Sequence, residues 1–185
     1  MVISANQVKE LREKSGAGIM ECKRALEQVE GDIDRAIDLL KQQGLAKADK
    51  KTGRAASQGV IEPYIHGGGR IGSIVEVNCE TDFVARTADF RELAHDLAMQ
   101  VAATSPRFVS SDEVAPEAWA ELEREFGDRE KAAAAVVLLD QPYIKDAKLS
   151  VQDLVRNGIA KLGENIVVRR FARFEVGAVQ PQESE

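Results

Sequence analysis

The 185-residue sequence predicts an α+β fold: a small amino-terminal bundle of three helices, a linker, and a core of antiparallel sheet packed with helices. Apolar residues first recur at the 3.6-residue period of a helix and then, from Gly59, at the period of two that is typical of strands. A basic segment rich in small residues separates the two regions. We therefore divide the chain into a bundle over residues 1–45, a linker over 46–58, a core over 59–179 and a tail over 180–185.

The composition is that of an ordinary globular protein, with 44% hydrophobic residues and enough length for one medium and one small domain. The two cysteines, Cys22 and Cys79, form neither a disulfide framework nor a metal-ligand spacing, which favours a reducing compartment. No apolar run approaches the roughly 18 residues of a membrane span, and the start lacks the features of a signal peptide. We expect a cytoplasmic protein that makes no membrane contact.

The formal net charge of −6 is unevenly distributed along the chain. Residues 1–44 sum to −1, residues 45–58 to +3 and residues 59–185 to −8. A net-acidic core repels phosphate backbones, so we expect no direct binding of nucleic acid. The predicted partner is a protein.

Three helices are predicted in the bundle. Ser4 can cap the first, and Gln7 three residues later completes a capping box. Asp32 can cap the third, which is expected to end at Gly44 because glycine readily adopts the left-handed conformation that stops a helix. The predicted helices cover residues 4–13, 19–29 and 33–44.

The core is predicted to begin with a β-hairpin. Residues 60–66 and 71–79 alternate apolar and polar side chains, and the three glycines at 67–69 allow the positive φ of a tight turn. Pro63 cannot donate a backbone hydrogen bond, which places the first strand at an edge of the sheet.

The second strand leads into a turn, Thr81-Asp-Phe-Val84, which precedes a helix predicted over residues 87–103. Such a turn projects its side chains, so Asp82 and Phe83 can reach another molecule. Alternatively Phe83 folds back over the sheet, which spacing alone favours because phenylalanine is usually buried. Asp96 lies outside the apolar face of the following helix, and no function is needed to explain it.

The second half of the core is predicted to add helices and a last strand. Residues 116–139 have a helical pattern that breaks at Gly127, and a capping box over 150–153 begins a helix that Gly163 ends. In the last strand, over 165–176, alternation places two sets of side chains on opposite faces. We expect one face to carry Ile166, Val168, Ala172 and Phe174, and an exposed or intersubunit face to carry Arg169, Phe171 and Arg173.

Two stretches resemble the signatures of the elongation factor Ts family, the exchange factors for the translational GTPase EF-Tu. They are Leu11-Arg-Glu-Lys-Ser-Gly-Ala-Gly-Ile-Met-Glu-Cys-Lys-Arg-Ala-Leu26 and Val77-Asn-Cys-Glu-Thr-Asp-Phe-Val-Ala-Arg86. Residues 59–62 and 163–171 also match, so the resemblance covers nearly the whole chain. It implies that the bundle is similar to a ubiquitin-associated (UBA) domain. Over residues 127–139 the chain is shorter than the members compared with it, so contacts made there by other members are not assumed here.

The resemblance implies a translation elongation factor that binds EF-Tu and promotes GDP release without bond chemistry, cofactor or metal. The implied partner is EF-Tu in its GDP-bound and nucleotide-free forms. The resemblance to short members of the family also implies a homodimer. The region implied to displace Mg²⁺ and release the nucleotide consists of Thr81, Asp82, Phe83 and Val84. The surface implied to bind the partner consists of Lys9, Arg12, Ile19, Met20 and Lys23.

Ile19 and Met20 are adjacent, about 100° apart on a helix, so one can point into the bundle while the other faces outward. The resemblance favours a docking surface made by both. An enzyme is a weaker interpretation, because both histidines are isolated and the glycines at 67–69 lack the lysine and helix of a phosphate loop. The main alternative is a protein-interaction adaptor that uses only the UBA-like bundle, which leaves the turn at 81–84 unexplained.

Overall fold

The computed structural model describes residues 3–178, within which eight α-helices and five β-strands form the predicted α+β fold. The predicted tail over 180–185 lies outside the described residues. Helices of this part of the chain are all too short or too polar to cross a lipid bilayer. The elements are α1 (Ala5–Ser15), α2 (Ile19–Gln28), α3 (Ile33–Asp49), β1 (Gln58–His66), β2 (Ile71–Cys79), α4 (Asp82–Ala85), α5 (Ala88–Thr104), α6 (Pro116–Phe126), α7 (Arg129–Val136), β3 (Pro142–Tyr143), β4 (Asp146–Ser150), α8 (Val151–Leu162) and β5 (Ile166–Glu175).

Helices α1 to α3 form the predicted three-helix bundle. The capping box at the start of α1 is confirmed: the Ser4 hydroxyl accepts from the Gln7 backbone N–H at 3.2 Å, and the Gln7 side chain accepts from the Ser4 N–H at 3.0 Å. Gly16, at φ 68°, ends the helix. The interior of the bundle is small and is built from Leu11, Cys22, Ala25, Leu26, Val29 and Ala36.

Helix α3 continues through Gly44 to Asp49, so the predicted end at Gly44 is wrong. Gly44 instead allows α3 to approach α8, because a Cβ added at Gly44 would lie 3.3 Å from the Cβ of Ala160. The start of the predicted linker is therefore helical, and Ala48 is buried within the main core. The division of the chain into domains stays a prediction.

Two polar contacts fix the end of α3 and the following turn against the core. The Asp49 carboxylate accepts from Arg156 Nε at 3.0 Å and from its Nη2 at 2.8 Å. Lys51 Nζ donates to the backbone oxygen of Gly163 at 2.6 Å. The bundle is thus joined to the core by packed helices and hydrogen bonds as well as by covalent chain.

The core contains an antiparallel sheet in the order β1-β2-β5, with α5 and α8 on one face. The predicted hairpin between β1 and β2 is confirmed, and the glycines at 67–69 have φ values of 60°, 67° and 89°. Pro63 lies in β1, which is an edge strand as predicted. The face toward the helices buries alternate residues of β2, namely Ser73, Val75, Val77 and Cys79.

A β-bulge makes part of the prediction for the last strand wrong. Val77 pairs with Val168 whereas Glu76 pairs with Arg170, so Arg169 is an extra residue in β5. An extra residue reverses the faces of the side chains that follow it. Phe171 therefore packs against the main core, and Arg173 Nε donates to the Ala102 carbonyl at 3.0 Å. Ala172 and Phe174 lie on the outer face.

Between α5 and α8, helices α6 and α7 form a helical hairpin that breaks at Gly127, as predicted, and encloses its own small core around Trp119 and Leu122. The segment that follows is tied to α5 by the buried carboxylate of Asp96. Asp96 accepts from the Tyr143 hydroxyl at 2.5 Å and from Lys145 Nζ at 2.6 Å, which gives this residue outside the apolar stripe of α5 a structural contact that the sequence did not predict.

Candidate functional site

The turn after β2 is built as a short capped helix, α4. The Thr81 hydroxyl accepts from the backbone N–H of Val84 at 3.4 Å and so begins the helix. Ala85 is buried, and Val84 packs against the main core. The inner side of this turn is therefore anchored, while Asp82 and Phe83 lie on its outer side.

Phe83 is 81% exposed, the largest fraction among the large apolar side chains of residues 3–178. The ring does not fold back over the sheet, contrary to what spacing alone favours. Phenylalanine is among the most frequently buried residues, so a ring left exposed to this extent is unusual and is accessible to a partner.

Asp82 directly precedes Phe83 in the chain, and its carboxylate pairs with a residue one helical turn later. Its Oδ2 accepts from Arg86 Nη2 at 2.8 Å, and the arginine side chain is 75% exposed. Exposed pairs of this kind contribute about 0.2–1 kcal/mol. Asp82 can therefore exchange Arg86 for a partner at little cost in free energy.

Glu164, in the loop between α8 and β5, holds the start of the turn. Its Oε2 accepts from the backbone N–H groups of Glu80 and Thr81 at 3.1 and 2.9 Å, and its Oε1 accepts from the Thr81 hydroxyl at 2.6 Å. This contact could not be predicted from the sequence, although residues 163–171 resemble the family. No local pattern indicated that the two matching stretches meet.

Cys79 lies under the same turn. Its Sγ donates to the Thr81 carbonyl at 3.1 Å. Burial, followed by the nearby Glu164 carboxylate, raises the pKa of the Cys79 thiol above its ordinary value. The thiol is therefore neutral near pH 7, and a neutral thiol packs in the core instead of acting as a nucleophile.

The bundle carries a second apolar surface. Ile19 and Met20, at the start of α2, are 57% and 58% exposed, although Ile19 continues the apolar stripe of that helix. Ile19 borders an open groove of about 450 Å³ between α1 and α2. The other residues that line the groove are Ile3, Ala5, Val8, Lys9, Arg12 and Lys23.

Four of the five residues predicted to bind the partner thus surround one groove, and Met20 lies next to it in the chain. Lys9 and Lys23 each approach a glutamate one helical turn later at 3.9 Å, in pairs that are at least half exposed. Such pairs are weak, so both ammonium groups can contact an acidic partner. Sequence reasoning had not assigned Ile3 and Val8 to this surface.

The outer face of the sheet is a third apolar surface. Its exposed side chains come from all three strands: Ile61 and Ile65 from β1, Ile74 from β2 and Phe174 from β5. Ile61 and Ile65 are each 66% exposed. The bulge at Arg169 places Phe174 on this face.

Histidine, cysteine, aspartate and glutamate side chains do not form a group of three or more that could hold a metal ion anywhere in residues 3–178. The site consists instead of projecting apolar side chains with charged neighbours on a scaffold of helices and sheet. Exposed apolar surfaces of this kind, bordered by charged side chains, are typical of proteins that bind another macromolecule.

Comparison with known proteins gives the family. The family described as Elongation factor TS matches residues 5–133. Elongation factor Ts of Syntrophomonas wolfei is 51% identical over 203 aligned positions, covering 99% of this chain and 94% of the relative. Those of Herpetosiphon aurantiacus and Carboxydothermus hydrogenoformans are 52% and 50% identical, covering 96% and 95% of this chain and 100% and 90% of the relatives. The chain belongs to the elongation factor Ts family, and is therefore a translation elongation factor of protein biosynthesis.

Proposed function

We propose that this chain binds EF-Tu in the cytoplasm and promotes the release of GDP by inserting Phe83 and Asp82 next to the magnesium and phosphate site of the GTPase. The observation that supports this most strongly is the exposed Phe83 ring on a turn anchored from below, with a carboxylate beside it. The factor would do no bond chemistry of its own. It would act by changing the shape and charge of the partner's nucleotide site.

The residue types suit this task. A GTPase holds its nucleotide through backbone donors to the phosphates and a magnesium ion, which supplies much of the local positive charge. Phe83 can enter an apolar slot between helices of the partner, while the Asp82 carboxylate disturbs the ligands that orient the ion. Thr81 and Val84 belong to the same region, but their own contacts suggest that they hold the turn.

The turn alone does not supply enough binding free energy for a large effect on GDP release. Burying one phenylalanine contributes about 1.5–3 kcal/mol, and about 1.4 kcal/mol changes an equilibrium tenfold. We therefore propose that Ile19 and Met20, with Lys9, Arg12 and Lys23 around them, supply further binding free energy. By thermodynamic linkage, a factor that weakens GDP binding is itself released when nucleotide rebinds.

We also propose that the factor is a homodimer, as the family resemblance implies. The outer face of the sheet supports this, because it exposes Ile61, Ile65, Ile74 and Phe174 on one continuous surface. A second copy would cover the same face by two-fold symmetry. Each dimer would then carry two turns and two bundles, enough for two GTPase molecules.

The release of labelled GDP from EF-Tu tests the exchange function. Phe83→Ala should slow factor-stimulated release at least tenfold if the ring supplies about 1.5–3 kcal/mol, and Asp82→Ala should slow it by a smaller factor. Ile144→Ala is the matched control, because Ile144 is 42% exposed and lies outside the three surfaces. Unchanged release by both turn variants would disprove the insertion.

The adaptor interpretation is separated from this proposal by binding. An exchange factor must associate with nucleotide-free EF-Tu, since that complex is the intermediate of the cycle. A protein that binds ubiquitin-like partners through its bundle but does not associate with nucleotide-free EF-Tu would be an adaptor instead.

A further inference from the structure

Two distant parts of the chain hold each other at the base of the candidate site. Glu164 is 83 residues from Thr81, yet its carboxylate accepts three hydrogen bonds from the start of the turn, two from backbone N–H groups and one from the Thr81 hydroxyl. In return, the Glu80 carboxylate accepts from the backbone N–H of Asn165 at 2.7 Å. We call the four residues Glu80, Thr81, Glu164 and Asn165 the latch.

The latch also reaches the segment that leads from the bundle. Asn165 is 2% exposed, and its side-chain amide donates to the carbonyl of Arg54 at 2.7 Å. Arg54 Nη1 in turn lies 3.7 Å from Glu80 Oε1. Three separate stretches of chain, before β1, after β2 and before β5, are therefore fixed against one another directly beneath the turn.

We propose that Glu164 is a positioning residue for nucleotide release, which sets the direction in which the turn at 81–84 presents Phe83 and Asp82. This inference rests on the proposed function. A helix of four residues has too few internal hydrogen bonds to hold its own shape in water. Hydrogen bonds to an ionised carboxylate are about twice as strong as neutral ones, so the latch supplies the missing rigidity.

The expected consequence is preorganisation. A turn that is already ordered loses little conformational entropy when its ring enters a partner, whereas a loose turn must be ordered at that moment. Loss of the latch should therefore slow the step in which the ring displaces the nucleotide more than it weakens the initial docking of the bundle. A latch that served only the stability of the fold would leave both steps unchanged in the folded protein.

Glu164→Gln is the sharpest variant because it keeps the size of the side chain. Glutamine has one carbonyl acceptor and an amide that donates, so it cannot accept all three hydrogen bonds. Thr81→Val gives a second test from the other side of the latch, since it keeps the shape but removes the hydroxyl that donates to Glu164; it also removes the cap that this hydroxyl gives to the Val84 N–H, so its effect should be at least as large as that of Glu164→Gln. Glu121→Gln is the matched control: it also removes one negative charge, and within residues 3–178 the exposed Glu121 makes no side-chain hydrogen bond or ion pair.

The experiment uses the full chain and measures release of labelled GDP from EF-Tu at increasing factor concentration. We expect Glu164→Gln and Thr81→Val to lower the maximal release rate by about tenfold, the effect of one charged hydrogen bond, with the half-saturating concentration within about twofold of wild type. Amide hydrogen exchange at Glu80 and Thr81 should become faster in Glu164→Gln. Glu121→Gln should match wild type in all three measurements.

Circular dichroism first establishes that each variant is folded at the assay temperature. If Glu164→Gln is not folded, the release rate of Thr81→Val tests the inference. Folded latch variants that release GDP at the wild-type maximal rate would overturn this inference. The proposed function would still stand if Phe83→Ala remained slow in the same assay. If wild type itself failed to accelerate release, the proposed function would fail and the role of Glu164 with it.

Discussion

The Glu21 carboxylate joins two helices of the bundle. It accepts hydrogen bonds from Lys47 Nζ on α3 and, at 3.3 Å, from the backbone N–H of Gly18 at the start of α2. The Lys47 hydrogen bond, followed by that of Gly18, lowers the pKa of Glu21 below its ordinary value of 4.5. A carboxyl group with a lowered pKa stabilises the folded state only while it is ionised.

We predict that this contribution is fully present above pH 4.5 and is lost as the pH falls through the lowered pKa of Glu21. Glu21→Gln should therefore reduce the free energy of unfolding at pH 7 by no more than about 1 kcal/mol, because the pair is exposed. Urea unfolding at pH 7 and pH 3 measures this. The difference between variant and wild type should be smaller at pH 3 than at pH 7, and a difference that did not shrink as the pH fell would contradict the assignment.

At the level of single residues, the sequence predicts features that depend only on residues close by in the chain. The caps at Ser4 and Ser150 were predictable because each depends on a residue three positions away. The exposure of Phe83 was not, because spacing favoured a buried ring and only family resemblance indicated otherwise. The contact between Glu164 and Thr81 could not be predicted either, because only the tertiary fold brings these two residues together.

Helix α3 depends on one small residue where it crosses α8. Glycine costs about 1 kcal/mol relative to alanine inside a helix, so Gly44 is locally unfavourable. Its use is explained by the neighbouring Ala160, whose Cβ would lie 3.3 Å from a Cβ at position 44. A glycine at this position is a typical signal for the end of a helix, but packing against α8 allows α3 to continue through it.

We predict opposite tendencies for two substitutions at this crossing. Gly44→Ala gains helix propensity and meets only a tight contact, so its free energy of unfolding should change by less than about 1 kcal/mol. Gly44→Leu must push α3 away from α8 and should lower that free energy by about 1–3 kcal/mol. Urea unfolding compares the two variants with wild type. A Gly44→Leu protein as stable as Gly44→Ala would show that the helices are not closely packed there.

Strand β5 could be predicted only in part from the alternation of its residues. Its existence and extent were predictable from alternation, but the side of the sheet on which its second half lies was not. The extra residue at Arg169 leaves the strand intact and reverses the faces after it. As a result Phe174, predicted with the inner set, joins Ile61, Ile65 and Ile74 on the outer face.

At the scale of the molecule, most large apolar side chains that residues 3–178 leave exposed lie in three places: the groove on the bundle, the turn at 81–84 and the outer face of the sheet. The first two are the surfaces that we propose contact the GTPase. The third consists mainly of isoleucines and a phenylalanine on the three strands of the sheet, which suits a flat contact with an identical face. An exposed apolar sheet face of this kind favours association, because covering it removes apolar surface from water.

We predict that the wild-type chain is a dimer and that Ile65→Glu shifts it toward the monomer. Burying an unpaired carboxylate at such a contact is costly, and two-fold symmetry would place the change in both copies. The dissociation constant should rise at least about a hundredfold, corresponding to about 2.8 kcal/mol.

Light scattering coupled to size-exclusion chromatography, run over a range of concentrations, measures this shift. Ile144→Glu introduces the same charge at an exposed isoleucine outside the sheet face and should leave the dimer intact. Because a dimer interface adds concentration-dependent stability, the melting temperature of wild type should also rise with protein concentration, whereas that of Ile65→Glu should not. A wild-type chain that stays monomeric throughout would leave the outer face without a second copy and would restrict the factor to one GTPase per molecule.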